Sequence, residues 1–598
     1  MKITPQSLNI NQLLSSESEQ YVVPHYQRRY SWREKQLREL LDDVCLLEGS
    51  DTHLMGSIVC LTGHHTAGIN KLELVDGQQR LTTLCILLKC IAERLKKAGE
   101  INAASDLNRL LQSRALGESP VPKVVLDSLD SADFEGHFQG NPPVEISNPN
   151  LQLAFKIFGD WAAAQDLKSL GTFLYRIKNQ CLVIRLDVSN ARDAFKLFET
   201  INNRGLKLSP ADIIKNFILG NAALFGTVQL NLARTRWAEL VKYLDGISIE
   251  SFFRHYLCAL LKTRVTISFV IPRFKAVFVK QVQEAAALPL TGSYADEQSD
   301  LEEQEEESEV EADDESEQGL ASDAMLPQIS FADFLESLVL TSKVYGQLIN
   351  CQTGVPRIDS RLRNLRMIKA TQAYGFLCFL RSRGCSDANF AEVLRHTESL
   401  LLRRHICKAK ANESDTLFAR LCVVDPKNPL DEVLTAYGKH CPSDERFASD
   451  FATFKYTPNL IERARYCLGR IELEKYSSHG EILIGGTDAV HVEHVIPLKI
   501  KTKKAKEEFG DWPTYLGPNS ESNHAKFVAT IGNLTLLSGP LNIGASNNPY
   551  ERKKDAYRKS AILLTKELPE RFSEFRFEAV ADRASEFANL ALKLWPSP

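Results

Sequence analysis

No stretch of this 598-residue chain approaches the ~20 consecutive apolar residues that a membrane-spanning helix needs. Its start, Met1-Lys2-Ile3-Thr4, lacks the apolar core of a signal peptide. A cytoplasmic chain with no membrane partner is the expectation. The thirteen cysteines never pair as Cys-x-x-Cys, which removes zinc knuckles and disulfide frameworks and fits a reduced interior. The Walker A pattern (GxxxxGK[ST]) is absent too, so phosphate binding by a P-loop is excluded. What remains is ordinary globular composition, with 44% hydrophobic and 25% charged residues. The length suits three or four domains at ~100–200 residues each.

The formal charge of −4 conceals an uneven distribution. Residues 295–318 (ADEQSDLEEQEEESEVEADDESEQ) carry 14 acidic side chains and no basic ones, and removing them takes the charge from −4 to +10. Like charges without aromatics cannot collapse, so this run reads as a solvated, disordered insert. The mildly basic remainder suits a nucleic-acid partner. Short strand-like runs at 21–23, 57–61, 72–75 and 181–186 alternate with amphipathic helices in the first ~225 residues. Helical patterns dominate 226–470, where Phe252-Phe253 and Leu401-Leu402 read as core. The expected organisation is a multidomain α+β chain, mostly helical, with an α/β domain at 1–225, a helical middle at 226–470 and a third domain at 471–598.

The third domain carries the most chemistry. Val492-Glu493-His494-Val495-Ile496 is a β-branched, apolar run stopped by Pro497. Glu493 and His494 cannot share one face of a strand unless it bends or ends there. A second apolar run, Ile531-Gly532-Asn533-Leu534-Thr535-Leu536-Leu537, precedes Asn542, and a helix is expected after Pro549. The local plan is strand, long loop, strand, helix. Phosphodiester hydrolysis needs a base to activate water and a cation to neutralise phosphate charge. A neutral imidazole serves as base near pH 7, and carboxylate and amide oxygens suit Mg2+ or Mn2+. His491 is a rival base or ligand, and Lys553 and Lys554 are candidate phosphate contacts. This ordered set resembles the HNH, or His-Me finger, nucleases, whose ββα-metal fold carries an acid-His-x-x-Pro strand. By that resemblance His494 is the general base, Asn533 orients it, and Glu493 and Asn542 hold the metal. One departure stands out, since many such enzymes carry Asp where this chain has the longer Glu493.

Three segments mark the front of the chain. Val23-Pro24-His25-Tyr26-Gln27-Arg28-Arg29-Tyr30-Ser31-Trp32 reads alone as a proline-led turn with inward aromatics. Leu74-Val75-Asp76-Gly77-Gln78-Gln79-Arg80-Leu81-Thr82-Thr83-Leu84 reads as a strand, a Gly turn and a helix, with Leu81, Leu84, Cys85, Leu88, Ile91 and Leu95 on one stripe. Its helix start is a candidate anion site, or simply a start capped by Asp76. In Phe198-Glu199-Thr200-Ile201-Asn202-Asn203-Arg204-Gly205, followed by Leu206-Lys207-Leu208-Ser209-Pro210-Ala211-Asp212, Ser209 and Pro210 form a helix start. Asn202, Asn203 and Arg204 precede a Gly turn, placed to line a cleft.

Together, in this order, the segments resemble the N-terminal domain of GmrSD-type, modification-dependent (type IV) restriction enzymes. The resemblance implies a ParB/sulfiredoxin-like domain that binds and hydrolyses a nucleoside triphosphate (ATP, GTP, UTP or CTP) with a divalent metal. It implies an HNH nuclease at the C-terminus, double-stranded modified phage DNA as substrate, such as DNA with glucosylated hydroxymethylcytosine, and a homodimer. The nucleotide-site candidates are Gln27, Arg28, Asp76, Gly77, Gln78, Gln79, Arg80, Thr82, Asn203 and Arg204. A phosphorothioate-sensing nicking nuclease and a nucleotide-gated DNA-binding regulator with an inactive nuclease domain are the alternatives.

Overall fold

The structure, a computed structural model, describes residues 3–62, 68–127, 129–138, 147–202, 209–286, 326–476, 489–500 and 511–598. Asn203, Arg204 and the acidic run 295–318 lie outside these residues. The chain is α+β and mostly helical, and it divides into two compact units, Met1–Phe253 with Thr266–Lys343 and Arg254–Val265 with Val344–Pro598. Among the described residues no helix is long and apolar enough to cross a membrane.

The strands of the first unit are β1 (Ile3–Asn9), β2 (Glu19–Val23), β3 (His53–Thr62), β4 (Asn70–Asp76), β5 (Gln112–Ser113), β6 (Val121–Pro122), β7 (Val124–Leu126) and β8 (Cys181–Val188). Six of them form a mixed sheet in the order β1-β8-β3-β4-β2-β7, while β5 and β6 pair separately. The runs at 21–23, 57–61, 72–75 and 181–186 fall within β2, β3, β4 and β8. Strand β1 carries Pro5 and lies on the sheet edge, where a missing N–H interrupts no ladder. The ladder between β3 and β4 shifts register between Val59 and Cys60, and Val59 pairs with Asp76 there. A bulge therefore lies beside the turn that begins the helix Gln78–Lys97.

That helix differs from the expected amphipathic stripe. Leu81, Leu84, Cys85, Leu88, Ile91 and Leu95 are buried, and so are Thr82, Thr83, Ile86 and Leu87. Every residue from Leu81 to Leu88 is buried, so past its partly exposed first turn it is a central helix rather than a surface one. Phe252, Phe253, Leu401 and Leu402 are fully buried, as their patterns implied.

The second unit is helical around one antiparallel pair, β9 (Val490–His494) and β10 (Leu534–Ser538), with Leu534 opposite His494 and Thr535 opposite Glu493. A 3-10 turn, Ile531–Asn533, leads into β10. The stretch read as a loop between the strands holds the helices Trp512–Leu516 and Ser520–Phe527. The short helix Gly539–Ala545 follows β10, and Pro549 caps the helix Tyr550–Arg558. The helix Phe577–Leu594 presses on the Ile531–Asn533 turn so closely that a Cβ at Gly532 would overlap the Val580 carbonyl. Fully buried Arg583, on the same helix, donates to the carbonyls of Gly532 and Leu534.

Candidate functional site

In the second unit β9 ends at His494, and three side chains hold the chain there. Asn533, with no solvent exposure, accepts the Ile496 N–H through Oδ1 at 2.8 Å and donates from Nδ2 to Ile496 O at 2.9 Å and Val528 O at 2.8 Å. Both its N–H groups are thus used on backbone, and it steers the histidine through the chain that bears it. Lys553 Nζ donates to His494 O at 2.8 Å. His524, a residue the sequence gave no reason to choose, bonds through Nε2 to Pro497 O at 2.8 Å. The partner is a carbonyl, so Nε2 carries the proton.

Burial, then the charges of Lys553 and His524, pull the His494 imidazole down to about 4. The ring is therefore neutral near pH 7, the form a general base requires. Glu493 faces the other way, into the core, where its Oε1 accepts from Lys553 Nζ at 2.6 Å and Tyr557 OH at 3.4 Å. Burial raises the Glu493 carboxyl and lowers the Lys553 ammonium, each opposed by the charge of the other. Lys554 is used internally as well, on Glu551 and Ser573 O, so neither lysine is directed to phosphate in this structure. His491 is exposed on β9 beside Gly539. Asn542, on the helix Gly539–Ala545, has its Oδ1 buried with no hydrogen-bond partner. An orphaned amide oxygen is a fitting ligand for a hard cation. Glu493, already matched to an ammonium, fits that role poorly.

The first unit joins the Tyr26–Trp32 and Asp76–Thr83 segments into one network. Gln79 accepts the Ser31 N–H at 2.8 Å and donates to Arg29 O at 3.2 Å, and Tyr30 OH meets Thr83 Oγ1 at 2.7 Å. Gln27, buried, donates to Leu74 O at 3.1 Å and Val75 O at 3.0 Å and accepts from Lys215 Nζ at 2.6 Å. Gln27 and Gln79 therefore build the site rather than face a ligand, and Gln78 and Thr82 are buried also. Gly77 has φ +88°, and a Cβ there would overlap Ile58. It is the N-cap of the helix Gln78–Lys97, with no side-chain cap bond, so Asp76 is not the cap. Arg80 donates to Ser57 O beside Gly56.

Two carboxyls here are pushed in opposite directions. Burial raises Asp76 despite Arg80, whereas Lys215 and Arg28 outweigh the burial of Asp212 and hold it low. Lys215 is buried, 3.4 Å from Asp212 Oδ1, and Arg28, half-exposed, is 3.7 Å from Asp212 Oδ2. Such opposed environments mark candidate functional sites.

Two family models match the chain. One, described as GmrSD restriction endonuclease, N-terminal domain, covers residues 10–219. The other, GmrSD restriction endonucleases, C-terminal domain, covers residues 441–590. The chain belongs to the GmrSD restriction endonuclease family. No curated protein sequence matches it. As a GmrSD chain it is a restriction endonuclease for modified DNA.

The first match takes in the Gln27–Gln79 network, and the second takes in His494, Asn533 and Asn542. Several GmrSD residues with clear structural roles escaped the sequence reading. Lys215 left a signal, because a single cation inside Ile213-Ile214-Lys215-Asn216-Phe217 must find a partner when that helix is buried. Glu73 left another, breaking the apolar run of β4. It accepts from Tyr26 OH and, at 2.7 Å, from Arg234 Nη2.

Proposed function

We propose that the chain is a nucleotide-regulated, metal-dependent endonuclease that cuts modified phage DNA, such as DNA with glucosylated hydroxymethylcytosine, in antiviral defence. The observation that carries this reading is the neutral His494 imidazole, held at a strand end whose backbone is fixed by Asn533, Lys553 and His524. Preorganisation of this kind lets an imidazole take a proton from water without first paying to be positioned. His494 is the base, and Asn533 keeps its chain in place. Asn542 Oδ1 is the oxygen offered to Mg2+ or Mn2+, and a cation there would neutralise charge on the phosphate and the leaving oxygen. The order β9, β10, helix Tyr550–Arg558, with Lys553 reaching back to β9, supports a ββα-metal (HNH) assignment.

For the first unit the reading is a ParB/sulfiredoxin-like domain that binds and hydrolyses a nucleoside triphosphate and so licenses the cut. The start of a 20-residue helix with no side-chain cap, and with Arg80 in its first turn, supports phosphate binding. A cytoplasmic homodimer is part of the proposal, since cutting two strands takes two nuclease centres.

Digestion of matched plain, hydroxymethylated, glucosylated and phosphorothioated duplexes, with Mg2+ or Mn2+ and with or without each triphosphate, tests this. Cleavage of glucosylated DNA that changes with nucleotide is the expected result. Cleavage of none of them, or nicking of phosphorothioated DNA alone, overturns it.

A further inference from the structure

We propose that the open cleft between the helix Ile101–Leu110 and the β5–β6 hairpin takes a glucosylated base flipped out of duplex DNA, with Leu116 filling the gap that the base leaves in the stack. The inference rests on the modified-DNA reading above and says which surface of the first unit recognises the modification.

The cleft has a volume of about 450 Å3, within the ~300–1,000 Å3 usual for small-molecule sites. One wall is a single face of the helix Ile101–Leu110, where Ile101, Ser105 and Asn108 recur at helical spacing. The other is built by Gln112 of β5 and by Arg114 and Pro120, the two ends of the hairpin loop. Glu17 and Lys96 complete the lining. Lys96 lies at the end of the helix that begins at Gln78, so the cleft and the Gly77 turn are separated by 20 residues of helix, about 30 Å at 1.5 Å per residue. The cleft is therefore a separate place from the nucleotide-site candidates.

The hairpin is held at its base and free at its tip. The Arg114 N–H donates to Glu17 O at 2.7 Å, the Lys123 N–H to Leu111 O at 2.9 Å, and Gln20 Nε2 to Pro122 O at 2.8 Å. Leu116, between Arg114 and Pro120, is fully exposed. A lone exposed leucine is common on a protein surface, but this one stands on an anchored loop whose two ends line a cleft. An apolar side chain so placed suits insertion between base pairs, as wedge residues do when they unstack a step. The lining suits a hydroxylated ligand. Among the described residues Glu17, Asn108 and Gln112 make no side-chain hydrogen bond or ion pair. A carboxylate and two amides are thus free to pair with sugar hydroxyls, which both donate and accept. Ile101, with 59% exposure, adds an apolar wall for the base or the sugar ring. Lys96 and Arg109 are likewise unpaired among the described residues, and Arg114 spends only its Nε, on Glu118 O at 3.0 Å. These cations outnumber Glu17 and are available to the phosphates that flank a flipped nucleotide.

The test follows 2-aminopurine fluorescence on binding to the full chain carrying His494→Ala, which leaves the DNA uncut. The fluorophore sits beside one glucosylated hydroxymethylcytosine in a duplex, with matched hydroxymethylated and plain duplexes as controls. Fluorescence should rise on the glucosylated duplex alone, because flipping unstacks the neighbouring base. Leu116→Ala should reduce that rise at saturating protein. Glu17→Ala combined with Asn108→Ala should reduce the preference in Kd for glucosylated over hydroxymethylated DNA by at least ~10-fold, the scale of losing a hydrogen bond to a charged group. Arg109→Ala should weaken binding of all three duplexes alike and lower the salt slope by about one. Glu17, Asn108 and Leu116 are exposed or half-buried, so the melting temperature should stay at the His494→Ala value. An undiminished rise in Leu116→Ala, or an undiminished preference in the Glu17→Ala, Asn108→Ala chain, overturns the cleft assignment alone. A His494→Ala chain with no preference for glucosylated DNA overturns the modified-DNA reading and the cleft with it, so the two failures are distinct.

Discussion

Replacing Asn533 by alanine removes three hydrogen bonds from a position with no solvent exposure. The Ile496 N–H loses its acceptor, and the carbonyls of Ile496 and Val528 lose their donors. Each buried group left unsatisfied costs about 1–3 kcal/mol, and neighbouring losses do not simply add, so roughly 3–5 kcal/mol is expected in total. For a unit of this size about 1 kcal/mol moves the melting temperature by ~2–4 °C, which makes the expected fall ~6–20 °C. Scanning calorimetry of the intact chain should show one transition moving by that amount, with cleavage falling in parallel as the His494 strand end loosens. Asn533→Asp sharpens the test. It keeps the acceptor for Ile496 but sets a carboxylate against two carbonyls, so it should melt at least as early as the alanine variant. An Asn533→Asp chain that melts and cuts like the parent would refute the reasoning.

Gly77→Ala should lower stability by roughly 2–4 kcal/mol, from left-handed backbone strain and overlap with Ile58. Differential scanning fluorimetry checks the stability, and binding of a fluorescent triphosphate should weaken with it. Lys215→Met leaves Asp212 and the Gln27 oxygen short of a buried partner. The variant should lose about 3–5 kcal/mol of stability and, because Lys215 holds Gln27, the nucleotide-induced rise in melting temperature; an undiminished rise would show that nucleotide binding does not depend on the Lys215 contacts. Acid should unfold the chain through its buried imidazoles. His255 is held down to about 3 and His405 and His494 to about 4, each by burial first. Their folded values lie below the usual 6.5, so the unfolded state takes up protons first. Stability should therefore hold above pH ~6.5 and fall towards pH 4, by up to about 1.4 kcal/mol per pH unit for each histidine. Urea titrations from pH 7.5 to 4.5 read that slope, and a flat response contradicts it.

Local patterns carried the sequence reading as far as local physics allows. Strands β2, β3, β4 and β8 were legible because β-branched and apolar residues bunch there, and the Ser209-Pro210 helix start was legible because its cap chemistry lies within three residues. Strand β1 was hidden, since an edge strand tolerates the proline and polar residues of Ile3–Asn9. Position along the chain exposed Glu493, His494, Asn533 and Asn542 as a set. It could not reveal that Glu493 turns inward to Lys553, sixty residues away, or that Gln27 and Gln79 bind backbone rather than ligand. Those facts depend on long-range packing, which no spacing rule encodes. Lys215 lies between the two cases, since its burial was foreseeable and its partner was not.

The decisive measurement is the cleavage rate of glucosylated hydroxymethylcytosine DNA, in Mg2+ with nucleotide, by the intact parent and by His494→Ala at matched DNA affinity. The structure predicts a loss of ~10²–10⁴-fold, the usual contribution of a general base, with folding and DNA binding intact. Equal rates in the two proteins would take His494 out of the chemistry and contradict the account.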